Sequence, residues 1–495
     1  MSLGKKVFSS ALLLLIRKIW GNVLNLVVMA FLARILSRAD FGLLAISSVF
    51  LGIINTVATS GIADYIVYYD GDDRQQRINA AFWLNLLLTM AVVVIIVVVG
   101  PFWAAFYNDG RIYTLLLLLA IPFFFEMCST IPKAILRKDL DYKAIVFYSG
   151  ISMTLISIGK LVSAWAGLGM YSLVVPQAIV SPFLMLAFFF KTQWRPFGNL
   201  GLTYFKDIFN YTKHIIGGRV LTRLVNDGDN LIVGKFIGME GLGIYALAFQ
   251  LANLVTTNVV FLVNDIFLPL FNKVKGDMDR LKQLYSRMIL FLSFISFPLI
   301  ASLMVSAEAI VYFIYGEKWL DAVLPFQILC VFALGRSISS PSSALYNAVG
   351  RPDIGFKFTS YFTPLFLASV FLGSYYGVVG VALVTTLVRV GGSIVSLHLA
   401  LNLIQLRLKD IYQILKGNLI ATALVMILFS WTCIKPFPSK WIILLIIIPV
   451  VLYVHLLLQR IFFKSELISF FDDLENYLPV KNVHSLIRRF FFLSA

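Results

Sequence analysis

Apolar residues fall along the chain in blocks of about twenty, separated by short stretches rich in Gly, Pro and charge, which is the pattern of helices long enough to cross a bilayer. Spanning helices are predicted near residues 8–36, 41–62, 79–100, 112–131, 144–165 and 171–190. A second series follows at 212–236, 242–270, 287–314, 322–347, 357–377 and 379–401, then 417–434 and 440–461. The prediction is an all-α membrane protein of about 14 transmembrane helices. The segment 212–236 is too polar to pass on hydropathy alone, and its assignment rests on an internal repeat. At an offset of 201 residues Arg34 falls on Lys235, Phe41 on Leu242, Gly42 on Gly243, Ala45 on Ala246 and Thr56 on Thr257. The same offset carries Lys18 onto Arg219 and Asn25 onto Asn226.

The repeat implies two parallel six-helix halves with a substrate path between them. The expected organisation is an N-terminal lobe over 1–200, a C-terminal lobe over 201–403, two further helices within 404–461, and an amphipathic tail over 462–495. With the N-terminus, alternate loops and tail placed on one side, most Lys and Arg outside the spans gather there. The positive-inside bias then makes both termini cytoplasmic.

Composition narrows the class. The 495 residues are 60% hydrophobic and only 13% charged, against about 45–50% and 25% in soluble domains. The net charge of +16 is scattered between apolar blocks, which argues against nucleic-acid binding. Cys128, Cys330 and Cys433 are widely separated in apolar stretches, with neither a disulfide framework nor zinc spacing. His214, His398, His455 and His484 are isolated. No Walker loop, His-Glu-x-x-His or nucleophile elbow is present, so neither an enzyme nor a metal or cofactor site is expected.

Charges inside the spans are the candidate functional residues, because an ionised group at the bilayer centre is costly unless it faces water or a partner. Lys18, Asn22 and Asn25, with Arg17 beside them, share one face of the first helix, and Arg219, Arg223, Asn226 and Asn230 form the matching stripe on the seventh. Together with Arg336 and Arg389 they predict a cationic cavity for an anionic substrate such as a pyrophosphate headgroup. Two other readings are weighed: Arg17 and Lys18 snorkelling to headgroups, and Arg223 pairing with Asp227 as a structural ion pair. Asp227, Asp229 and Asp265 are the candidates should a proton or sodium ion be coupled.

Certain residues carry a family resemblance. The run from Ala33 to Leu44, Ala-Arg-Ile-Leu-Ser-Arg-Ala-Asp-Phe-Gly-Leu-Leu, resembles the first-hairpin signature of Wzx-type polysaccharide flippases of the multidrug/oligosaccharidyl-lipid/polysaccharide (MOP) superfamily. Asp229 to Gly234 followed by Gly243 to Ala248, Tyr315 to Trp319, and Gly350 to Asp353 are similar to later segments of that family. The likeness covers most of residues 5–400 and is strongest with the colanic-acid exporter branch. It implies a MATE-like fold of two six-helix lobes plus two C-terminal helices. It also implies alternating-access transfer of undecaprenyl-pyrophosphate-linked oligosaccharide across a bacterial inner membrane, with membrane lipids, a polymerase and glycosyltransferases as partners. Arg17 or Lys18 and Arg219 or Arg223 stand where such flippases keep cavity cations. The alternative is a superfamily exporter of another cargo, a lipid-linked cell-wall precursor or a drug.

Overall fold

The computed structural model describes residues 3–59, 61–69, 71, 73–196, 202–274, 276–429, 446 and 448–462. The predicted tail, Cys433 and most of the segment 430–447 lie outside them, as does the side chain of Asp265. The described residues are helical almost throughout. Twelve of the helical segments among them are long and apolar enough to cross a membrane.

The helices are α1 (Leu3–Ile35), α2 (Arg38–Thr59), α3 (Ile62–Tyr68), α4 (Arg74–Phe106), α5 (Arg111–Cys128), α6 (Thr130–Lys138), α7 (Tyr142–Trp165), α8 (Val175–Thr192) and α9 (Leu202–Phe236). They continue as α10 (Met239–Val274), α11 (Met278–Val305), α12 (Ala307–Ile310), α13 (Val323–Ser339), α14 (Pro341–Ala348), α15 (Pro352–Ser374), α16 (Gly377–Leu403), α17 (Leu408–Leu428) and α18 (Ile448–Phe462).

Proline and glycine set several of the boundaries. Pro341 and Pro352 open α14 and α15 at first-turn positions, where the missing N–H removes no helical hydrogen bond. Gly350, at φ 75°, supplies the left-handed residue that ends the preceding segment. The polar helix foreseen at 212–236 is α9, and it starts ten residues earlier. Arg219, Arg223, Asp227 and Asp229 interrupt its later turns, so it falls short of the apolar content of a span while keeping full helical length. The expected count of fourteen spans is not established, since α9 is too polar and α18 is short.

Contacts divide the chain into two compact units: Met1–Ala246 with Ile314–Gly316, and Leu247–Phe313 with Glu317–Ala495. In the first, α1 lies along α7, α4 along α5, and α9 along α2 and α4. In the second, α13 and α15 both lie along α16, while α11 packs on α13, α17 and α18.

The 201-residue repeat has a physical counterpart within the first unit. A Cβ on Gly42 would overlap the carbonyl oxygen of Met239, and a Cβ on Gly243 would overlap that of Arg38. Gly243 and Met239 are Gly42 and Arg38 displaced by 201, so the two helical turns touch reciprocally, residue i to j and j to i, as across a two-fold axis. Only glycine permits so close an approach of backbones. An ion pair from Arg38 Nη1 to Glu240 Oε1 at 3.2 Å borders the contact. One turn away, the Lys235 ammonium donates to the Phe106 carbonyl, and Tyr107 Oη donates to the Leu231 carbonyl at 3.1 Å.

Candidate functional site

The α9 stripe forms one continuous helical face, and its arginines lie beside carboxylates. Arg219 Nη2 is 3.2 Å from Asp64 Oδ2 on α3, and Arg223 pairs with Asp227 one turn along its own helix. The α2 backbone leaves room for that guanidinium at Gly52, where a Cβ would overlap it. Asn226 and Asn230 are half-buried on the same helix. Asp229 is fully buried: Tyr245 Oη donates to its Oδ2 at 2.8 Å, and the Asn230 amide donates to Oδ1 at 3.0 Å.

The α1 stripe lies along a different neighbour. Arg17 and Lys18 are half-buried, and Asn22 and Asn25 are exposed. Trp20 Nε1 donates to Thr154 of α7 at 3.3 Å, and Gly21 faces Met153 of the same helix. Arg17 is within Coulombic reach of Arg137, and its buried Nε meets no acceptor among the described residues.

Arg336 and Arg389 come together in the second unit. Arg336 on α13 donates from Nη1 to the amide oxygen of Asn253 at 2.9 Å, and Asn253 is held by donating its own Nδ2 to the Phe249 carbonyl at 3.0 Å. Arg389 on α16 is 5% exposed. Its guanidinium stands 4.4 Å from the ring centre of Phe366 and 5.1 Å from those of Phe249 and Phe332, a cage of negative ring faces. The two guanidiniums are within Coulombic reach of one another. α13 and α16 approach closely here because Gly335 lies against Val390 and Ser393, and Thr386 Oγ1 donates to the Ile328 carbonyl at 3.1 Å. Two like charges in a buried site repel. An anion bridging them would turn that repulsion into binding.

Two polar clusters are absent from the sequence-based expectations. The Arg77 guanidinium is sandwiched between Tyr69 at 4.1 Å and Tyr204 at 4.5 Å. It also bonds Asp73 at 2.9 Å and the Tyr65 hydroxyl, tying α3 and α4 to the start of α9. Tyr69 donates to Asp73 at 2.6 Å, and that hydrogen bond, with Arg77 adding to it, holds the Asp73 carboxyl below the usual range. In the second unit, Asn418 Nδ2 donates to Ser293 Oγ at 2.7 Å and Gln459 Nε2 to Asn418 Oδ1 at 2.5 Å. Thr422 Oγ1 lies 2.9 Å from His455 Nε2, so this histidine is not isolated but joins α17 to α18. Local spacing carried part of the signal, since Tyr65, Tyr69, Asp73 and Arg77 recur every four residues and Asn418 and Thr422 stand four apart, but Tyr204, Ser293 and His455 come from distant parts of the chain.

Residues 31–324 match the family model described as "Polysaccharide biosynthesis protein". The teichuronic acid biosynthesis protein TuaB of Bacillus subtilis (strain 168) is 25% identical over 434 residues, 87% of this chain and 89% of that protein. The lipopolysaccharide biosynthesis protein WzxC of Escherichia coli (strain K12) is 26% identical over 403 residues, 80% and 81% of the two chains. Among solved structures, the lipid II flippase MurJ in an inward closed conformation superposes with a TM-score of 0.72 at 15% identity, covering 91% of this chain and 98% of that one. An inward-facing MATE-family multidrug transporter of the MOP superfamily gives 0.63 at 17%, covering 78% and 94%. The fold is that of the MOP superfamily.

Proposed function

The chain belongs to the polysaccharide biosynthesis protein family, and on that premise we propose that it carries an undecaprenyl-pyrophosphate-linked oligosaccharide from the cytoplasmic to the periplasmic leaflet. It is a multi-pass membrane transporter of flippase fold, not an enzyme. The cargo is the inference. The observation that carries it is the pairing of Arg336 with Arg389 inside the second unit, where one guanidinium is braced by a neutral amide and the other by aromatic faces. A neutral amide orients the Arg336 cation without cancelling its charge. Two guanidinium forks suit a pyrophosphate, which offers several oxygens at once.

Alternating access between the halves 1–200 and 201–403 supplies the path. The reciprocal Gly42 and Gly243 contact supports it: a seam built from the same residues on both repeats can part and re-form as a unit. An inside-negative potential assists outward movement of an anion by about 2.3 kcal/mol per charge per 100 mV. Proton or sodium coupling is assigned to Asp227 or Asp229 on α9, with Asp265 as the third candidate. Both termini are placed in the cytoplasm of a bacterial cell, beside the glycosyltransferases that build the cargo, and the polymerase that consumes it acts on the far side.

The test is the transbilayer distribution of lipid-linked oligosaccharide in cells lacking the protein, complemented with wild type or with Arg336→Gln. Accumulation on the cytoplasmic leaflet, cleared by wild type alone, is the expected result. Normal export without the protein would overturn the cargo assignment.

A further inference from the structure

A groove of about 680 Å³ runs along the surface of the second unit between α15 and α16. Its walls are apolar. Tyr361 and Leu365 line it while 80% and 62% exposed, and the stacked rings of Phe358 and Phe362, 5.4 Å between centres, form one side. Its floor is a pair of adjacent glycines. Gly392 lets the Phe362 ring lie against the helix, and a Cβ built on Gly391 would meet nothing within 4 Å. Of the two hydroxyl-bearing residues in the lining, Tyr361 and Ser369, the serine hydroxyl already donates to the Leu365 carbonyl at 2.7 Å.

All the charge sits at one end. Arg351 grips Asp353 with two hydrogen bonds of 2.9 and 3.1 Å, and the Lys357 ammonium, on a side chain 71% exposed, is 3.9 Å from the same carboxylate. Two cations share one anion, so the end carries a net positive charge.

We infer that this groove is a loading site for the isoprenoid chain of a polyprenyl pyrophosphate lipid, with the phosphate end at Lys357. The inference rests on the cargo reading above. Several observations select a single-chain occupant. At about 30 Å³ per water-sized group the volume holds about twenty methylene-sized groups, enough for a segment of one isoprenoid chain. The slot is apolar along its length and cationic at one end, which matches a lipid whose phosphates follow directly on a single tail. The phenylalanine row also continues from Phe362 to Phe366, 6.0 Å apart, and Phe366 is the ring that lies 4.4 Å from the Arg389 guanidinium. A tail held in the groove therefore lies against the wall of the cationic site.

Gly391→Leu provides the test. Its Cβ would enter open space on the groove lining, and the substitution removes a glycine from a helix interior, so the fold should be at least as stable. Undecaprenyl pyrophosphate is titrated into the purified full-length protein in detergent and binding is read by native mass spectrometry, with the apparent melting temperature measured alongside. Gly391→Leu is expected to weaken binding by about tenfold with no fall in melting temperature, since several buried methylene contacts are lost. Lys357→Gln should weaken it by a smaller factor. Wild-type affinity in Gly391→Leu, with Arg336→Gln still impaired, overturns the groove and leaves the cargo reading standing. No binding to the wild type would overturn both. Displacement of the probe by phosphatidylglycerol from wild type, but not from Gly391→Leu, would make the groove a phospholipid site and overturn the assignment.

Discussion

The two compact units treat their intramembrane arginines differently. In the first, Arg219 and Arg223 lie beside Asp64 and Asp227, on side chains that are one quarter to one half exposed. In the second, Arg336 leans on the neutral amide of Asn253, and Arg389 is buried among three phenylalanine rings. A carboxylate partner neutralises a guanidinium and satisfies its donors, whereas the amide that braces Arg336 orients it and leaves its charge to be used. Charge counted along the sequence makes the seventh helix the more promising binding surface. Charge counted after pairing shifts the weight to α13 and α16.

The largest effect that could break this contrast is at Arg336. Hydrogen bonds to charged groups are worth about 1.5–3 kcal/mol, so Arg336→Gln should slow cargo translocation by roughly 10- to 100-fold. Arg336→Lys should fall in between, keeping the charge and losing the fork. Initial rates in reconstituted vesicles would measure both.

Next in size is the reciprocal contact in the first unit. Gly42→Leu and Gly243→Leu each force a side chain onto a backbone carbonyl, with an expected destabilisation of about 1–3 kcal/mol or more. The fall in apparent melting temperature should be similar for both. A large effect at one position and none at the other would contradict the two-fold relation.

A smaller effect is expected where the first unit's ion pairs are removed. Half-exposed pairs contribute about 0–1 kcal/mol, so Arg219→Ala, Asp64→Ala and the double variant should stay near wild type in stability, with little coupling in the cycle. Transport should change by no more than about the fivefold that 1 kcal/mol represents.

The smallest effect concerns pH. The Asp73 carboxyl is held below its ordinary value, first by the Tyr69 hydrogen bond. Its contribution to stability is therefore present above the unfolded-state pKa of about 3.9 and is lost as pH falls below it. Asp73→Asn should flatten the acid limb of a stability profile and leave neutral pH nearly unchanged.

The sequence carried more of the fold than of the site. Apolar runs located the spans, and the offset that lays Gly42 on Gly243 rescued the polar helix α9 and marked the two glycines that meet. Periodicity assigns a residue to a helix face but does not name what stands opposite. The Arg223 and Asp227 pair is legible at i, i+4, but Arg219 and Asp64 are 155 residues apart and Arg336 and Asn253 are 83, so nothing local distinguishes Arg219 from Arg336. The helix of the α1 stripe runs along α7 and that of the α9 stripe along α2 and α4, neighbours that periodicity does not name. The tyrosine sandwich around Arg77 was invisible for a related reason: Tyr69 and Tyr204 come from segments that hydropathy treats as loop and linker.

The most direct test reconstitutes wild type, Arg336→Gln, and the doubly neutralised Arg223→Gln with Asp227→Asn into vesicles, then follows translocation of a lipid-linked oligosaccharide. Loss of transport in Arg336→Gln, with the double variant within about fivefold of wild type, is the predicted result. Normal transport in Arg336→Gln, with loss in the double variant, would contradict the assignment of anion binding to the second unit.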